Sequence, residues 1–197
     1  MALTSRALRL ILDAEGLNQA GKWPGGGSGI TIGIGYDLGY VTVDQFESDW
    51  GERLGPASRE RLKAVVGLTG IRARNRAAGL ADIKVRRADA EEIFSERMIP
   101  RFELLAAQAF PGLDRLPADA QGALVSLVYN RGASMVDKPG EDHRREMRAI
   151  RDAVVDEDLQ EIADQLRSMK RLWEGKGLDG LLKRREAEAL LVESAIA

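Results

Sequence analysis

Residues 13–39 read DAEGLNQAGKWPGGGSGITIGIGYDLG, and the fold turns on them. The stretch opens where an apolar-periodic segment ends. Leu3, Ala7, Leu10, Ile11 and Ala14 recur at helical spacing, which predicts a helix over about Thr4 to Glu15 with Thr4 as its N-cap. Gly16 lets that helix stop and leaves Glu15 at its C-terminal end. Residues 21–29, GKWPGGGSG, hold one Pro and five Gly in nine positions and cannot sustain a helix. The β-branched and aromatic ITIGIGYDLGY of residues 30–40 predicts a strand reached through a loop or hairpin, bent at Gly33, Gly35 and Gly39.

Beyond this stretch the pattern is helical. Thr42 with Gln45 fits a capping box, so a short helix begins near Val43. Residues 58–66 predict another. Residues 67–84 are basic and only weakly periodic. A long helix over about residues 88–107 carries the stripe Ala90, Ile93, Phe94, Met98, Phe102 and Leu105, with a kink or break expected at Pro100. Residues 118–130 are apolar enough for a central buried helix, and further helices are expected over 144–154, 158–168 and 181–194. The expected architecture is α+β and mostly helical, a single domain over residues 1–197. A β-containing lobe of about 15–87 and a helical lobe of about 88–197, which also takes the N-terminal helix, are joined by the long helix.

Composition narrows the chemistry. With 197 residues and 21.6 kDa, one domain or two lobes sharing a core is expected. The 29 basic and 31 acidic residues leave a formal charge of -2, unlike the strongly basic balance of a dedicated nucleic-acid binder. There is no cysteine and one histidine, His143, which excludes thiolate zinc sites, a cysteine nucleophile and an HExxH centre. No metal or cofactor is expected, and acid–base work falls to carboxylates and hydroxyls. Arg6 and Arg9 interrupt the apolar residues of the N-terminus, so neither an export signal nor stable membrane insertion is expected.

Glu15 closes a helix just before the glycine-rich β element, and Thr31 and Asp37 stand out on that element. Their separation of six is even, so in a regular strand both point to one face, unless a glycine bulge breaks the parity. Glu15 on one side of a concavity and Asp37 with Thr31 on the other is an arrangement that glycoside hydrolysis can use. One carboxyl donates a proton to the leaving oxygen, and the other, ionised, activates water. The plainer reading makes the Glu and the Asp helix-end and turn caps. Asp13 is a fallback carboxylate, but it lies about 200° round the helix from Glu15.

The quoted run resembles the start of the phage-type, T4-like lysozymes, in which a helix ends in an EG pair and a hairpin carries TIGIG or TIGYG. LPADAQGALVSLVYNRGAS resembles that family's central helix, and GLLKRREAEALL its GLxxRRxxE helix. The likeness spans about residues 8–192, with residues 51–84 resembling an insertion. It implies a muramidase cleaving the β-1,4 bond between N-acetylmuramic acid and N-acetylglucosamine with inversion, Glu15 as catalytic acid and Thr31 as the active-site threonine. The family's usual Asp or Cys six residues before the threonine is Gly25 here. Asp37, six residues after it, is similar in placement to the catalytic Asp of the bacteriocin pesticin. The missing carboxylate keeps a lytic transglycosylase using one Glu open, as well as a non-catalytic wall-binding phage module. The resemblance implies peptidoglycan as partner and a monomer made in the host cytoplasm that acts in the periplasm or wall after release.

Asn130 in VYNRG is a candidate for sugar N-acetyl groups or, alternatively, a helix C-cap. Trp23 and Tyr36 flank the expected site and are candidates to stack on sugars, while Trp50 and Trp173 read as core. Ser28 offers a hydroxyl or serves the turn. Arg184 and Arg185 either orient Glu15 or pair with Glu186 and Glu188. His143 sits in an exposed charged stretch. Arg72, Arg74, Arg76, Lys84, Arg86 and Arg87 form a positive run, either a solvated face or a means of steering toward anionic wall.

Overall fold

The computed structural model describes residues 3–196, and the chain folds as two compact units. One is formed by the N-terminal segment through Ala14 together with the chain from Pro100 onward; the other is Glu15–Ile99. The division falls between Ile99 and Pro100, beyond the expected lobe boundary near residue 87.

In the first unit, α1 (Ser5–Ala14) is capped by Thr4, whose Oγ1 accepts the Ala7 amide at 3.1 Å. α1 buries Ala7 and Ile11, and Gly122 of α7 (Ala118–Arg131) lets the two helices approach, since a Cβ there would stand 2.2 Å from that of Ala7. Every residue from Gly122 to Val128 is buried, as expected of a helix enclosed on all sides. α6 (Ile99–Ala109), α8 (Arg145–Val155), α9 (Leu159–Ser168) and α10 (Asp179–Glu193) supply the rest of this core, with Phe110, Met147, Ile150, Ile162, Leu166 and Val192 among its members.

α10 also carries a buried ionic cluster. Glu188 Oε1 receives Arg185 at 2.6 Å, Arg184 at 3.4 Å and the Ser126 hydroxyl at 2.6 Å. Burial pushes the Arg185 guanidinium below its ordinary pKa, against the pull of Glu188. Glu186 turns instead to Arg167 and Lys170, so only Glu188 of the two expected acids serves the arginine pair.

The second unit holds the sheet. β1 (Thr31–Ile32) and β2 (Tyr36–Asp37) form an antiparallel hairpin, not one continuous strand, with Thr31 opposite Asp37 and Ile32 opposite Tyr36. Gly33 and Gly35 make the reversal with φ of 59° and 64°, a region closed to most side chains. Ile30, Ile32, Ile34, Leu38, Phe46 and Trp50 are buried around the hairpin.

The helices of this unit follow. α2 (Val43–Trp50) is capped by Thr42 as its sequence predicts, and α3 (Pro56–Lys63) starts on a proline at its first turn. The weakly periodic stretch contains a helix after all, α4 (Gly70–Ala77), which buries only Ala73 and Ala77. α5 (Arg87–Ile93) runs without a break through a π turn at Phe94–Met98 into α6. Pro100 has no amide to give the preceding turn, and just before it the Ile99 N–H reaches back five residues to Phe94 O. The helix is therefore not broken at Pro100, and a widened turn stands just before it.

Candidate functional site

Glu15, Trp23, Thr31, Tyr36 and Asp37 all belong to the Glu15–Ile99 unit, while Asn130 ends α7 in the other. Asp13 is exposed on α1. Helix α1 stops at Ala14, one residue before Glu15, and Gly16 is not among the positive-φ residues that would mark a glycine cap. Glu15 is half-buried. Three residues later the chain locks onto the hairpin: the Asn18 amide donates to Gly33 O at 2.7 Å and the Gly33 amide donates back to Asn18 O at 3.0 Å. The segment carrying Glu15 is therefore anchored to the turn that joins the strand of Thr31 to the strand of Asp37.

Thr31 and Asp37 share a face, but for a different reason from the one spacing suggests. They are opposite partners across the hairpin, so their side chains emerge side by side. Thr31 is 6% exposed and its hydroxyl makes no hydrogen bond among the described residues. The Asp37 carboxylate is held by backbone. The Gly29 amide donates to Oδ1 at 2.9 Å and Oδ2 at 3.1 Å, and the Gly39 amide donates to Oδ1 at 2.8 Å. That last bond also N-caps the short 3₁₀ turn Leu38–Tyr40. Oδ1 is thus filled by two donors, while Oδ2 takes one longer bond and keeps accepting capacity.

Two glycines make this grip possible. A Cβ on Gly29 would lie 2.3 Å from Asp37 Oδ1, and one on Gly39 would lie 2.9 Å from Gly29 Cα. The turn before α4 braces the same place from behind. Gly67 N donates to Leu38 O at 2.9 Å and Gly70 N donates to Ser28 O at 2.9 Å. Ser28 O also accepts the indole N–H of Trp23 at 2.9 Å, and the Tyr40 hydroxyl donates to Gly27 O at 2.9 Å. Ser28 enters the site through its carbonyl, and Trp23 reads as a strut of the glycine loop.

Tyr36 is not the sugar platform its position suggests. It is 2% exposed, its ring meets Trp50 edge-on at 6.0 Å, and its hydroxyl donates to buried Asp49 at 2.8 Å. Alternation explains it: Tyr36 precedes Asp37 on the strand and points into the core. Asp49, next to last in the helix that Thr42 caps, gave no sequence signal.

Asn130 lies on a cavity of ≈ 720 Å³ within the first unit, shared with Arg131, Arg144, His143 and Trp173. Trp173 is half-buried there and packs against the edge of the core, and the Arg131 guanidinium stacks 4.9 Å from its ring centroid. Burial, together with Arg144, Arg185 and Arg171, pushes Arg131 down to about 10. His143 is exposed beside Glu141 at 3.3 Å. Among the described residues no His, Asp and Glu gather into a group able to hold a metal.

No curated protein sequence matches the chain. The crystal structure of the active form of P1 phage endolysin Lyz aligns with 88% of this chain and 98% of its own, at 16% identity and a TM-score of 0.45, too distant to assign residues. The phage lysozyme family matches residues 58–188. That span includes much of the stretch read as an insertion, and it begins after Glu15, Thr31 and Asp37, so it says nothing of those three residues. A match over well more than half of its length shows that the chain belongs to the phage lysozyme family, and with it to the hydrolases of peptidoglycan.

Proposed function

We propose that the protein is a muramidase that cleaves the β-1,4 bond between N-acetylmuramic acid and N-acetylglucosamine, with Glu15 as general acid and Asp37 with Thr31 holding the attacking water. The observation that carries this reading is the pairing of Thr31 opposite an Asp37 whose carboxylate is already oriented by two amides. A fixed acceptor at Oδ2 beside a hydroxyl with no protein partner can grip one water from two directions, which removes its orientational freedom before reaction. Glu15, anchored through Asn18 to the hairpin turn, supplies the proton to the leaving oxygen. Attack by a held water from the side opposite the leaving group inverts the anomeric centre. Proton NMR of the first product formed from wall fragments should show the inverted anomer, and a retained one would defeat the water-holding role of Asp37.

One observation favours a second reading. Asp37 N-caps the 3₁₀ turn, which is a sufficient structural job for a carboxylate. In that case Glu15 works alone and the enzyme is a lytic transglycosylase. Mass spectrometry separates the two: hydrolysis gives a reducing muramyl end, and transglycosylation a 1,6-anhydro end lighter by one water. Peptidoglycan, acted on in the periplasm or wall, is the substrate under either reading.

A further inference from the structure

We propose that the outer face of α4 is a docking surface for anionic phospholipid, which holds the protein at a membrane surface without inserting it. Arg72, Arg74 and Arg76 are exposed, and among the described residues none of them forms an ion pair or hydrogen bond. Arg6, Arg53, Arg59, Arg61, Arg148 and Arg167, on other elements, each meet a carboxylate, whereas here three unpaired arginines fall within five residues of one helix. The helix, GIRARNRA, carries no acid. Arg72 and Arg76 stand one turn apart, where like charges repel and weaken a helix unless an anion lies between them.

The geometry of the face selects a surface rather than a polymer chain. Ala73 and Ala77 turn inward, and Gly70 N is bonded to Ser28 O, so the helix is seated and its remaining sides look outward. At about 100° per residue, Ile71 and Asn75 form the middle of the outward arc, Arg72 and Arg76 one flank, and Arg74 the other. Ile71 is 60% exposed. A convex face with guanidinium on both flanks and one apolar side chain between them suits a plane of phosphate headgroups with acyl chains beneath. Guanidinium forks grip phosphate oxygens in pairs, and Ile71 reaches past them.

Vesicle sedimentation tests this with the full chain. Wild-type protein should pellet with vesicles of phosphatidylglycerol and phosphatidylcholine in equal parts and stay in solution with phosphatidylcholine alone. Raising salt from about 0.05 M to about 0.5 M should release it. The triple variant Arg72→Gln/Arg74→Gln/Arg76→Gln should lose roughly 100-fold in partitioning. Its thermal midpoint and its hydrolysis of soluble wall fragments should stay at wild-type values, because none of the three arginines belongs to the catalytic set. Ile71→Ser should bind more weakly than wild type at equal salt. Failure of the wild type to bind anionic vesicles, equal binding to neutral ones, or undiminished binding by the folded triple variant would each overturn the proposal. So would capture by a soluble polyphosphate but not by vesicles.

Discussion

At Gly29 a single missing Cβ decides where a carboxylate can sit. Its amide touches both oxygens of Asp37, and a methyl group there would meet Oδ1 at 2.3 Å and the Gly39 amide nitrogen at 2.3 Å. Both contacts fall below any real Cβ separation, and one of them is with backbone, so the loop must move. Gly29→Ala should destabilise the fold by about 1–3 kcal/mol, as read from urea midpoints. Wall hydrolysis should fall further than the loss of folded protein explains. Glu188 shows the opposite case, a side chain whose removal strands others. Its one carboxylate is shared by Arg184 and Arg185 where both are buried. Glu188→Leu should cost about 3–5 kcal/mol, because the fully buried Arg185 guanidinium would lose the carboxylate that it pairs with. A midpoint within experimental error of wild type would refute that account of the cluster.

At the scale of elements, the hairpin and the turn at residues 67–70 act as one frame for Asp37. Trp23 belongs to that frame through its bond to Ser28 O, one residue from Gly29. Trp23→Phe keeps a ring but deletes the N–H. It should lower kcat several-fold through a looser Asp37 while leaving KM unchanged; a raised KM with unchanged kcat would restore Trp23 to sugar stacking. The helices with strong periodicity or a cap, such as α1 and α2, were legible from residues alone. Helix α4 was not, since it buries only two alanines and leaves no apolar stripe to read. The even spacing of Thr31 and Asp37 pointed to a shared face, but through one strand; the positive-φ glycines fold that strand back on itself and keep the outcome while changing its cause. Tyr36 misled because adjacency to Asp37 in sequence means opposition across the sheet.

At the scale of the molecule, a formal charge of -2 coexists with many local ion pairs and with the unpaired arginines of α4. The pairs make stability depend on pH. Burial alone would raise the pKa of Glu146, but the Arg171 and Arg145 guanidiniums carry it below its ordinary 4.5. Glu186 is lowered by Lys170 and then Arg167, and Glu193 by Arg167. A lowered folded-state pKa means the stabilisation is complete above about 4.5 and drains away as pH falls through the folded-state values. Urea midpoints should therefore drop between pH 5 and pH 3, and Glu146→Gln should flatten that drop. No helix among the described residues is long and apolar enough to cross a membrane.

The family is carried by residues 58–188, but the chemistry is assigned to residues before them, so the catalytic set is the claim most in need of a direct test. Turbidity loss of purified cell wall, measured with Asp37→Asn beside Glu15→Gln at matched folded concentration, provides it. Asn can keep accepting the Gly29 and Gly39 amides, so the hairpin should survive the change. Each variant should lose about 10²–10⁴-fold in rate with an unchanged thermal midpoint. A folded Asp37→Asn protein that clears wall at the wild-type rate would contradict the account.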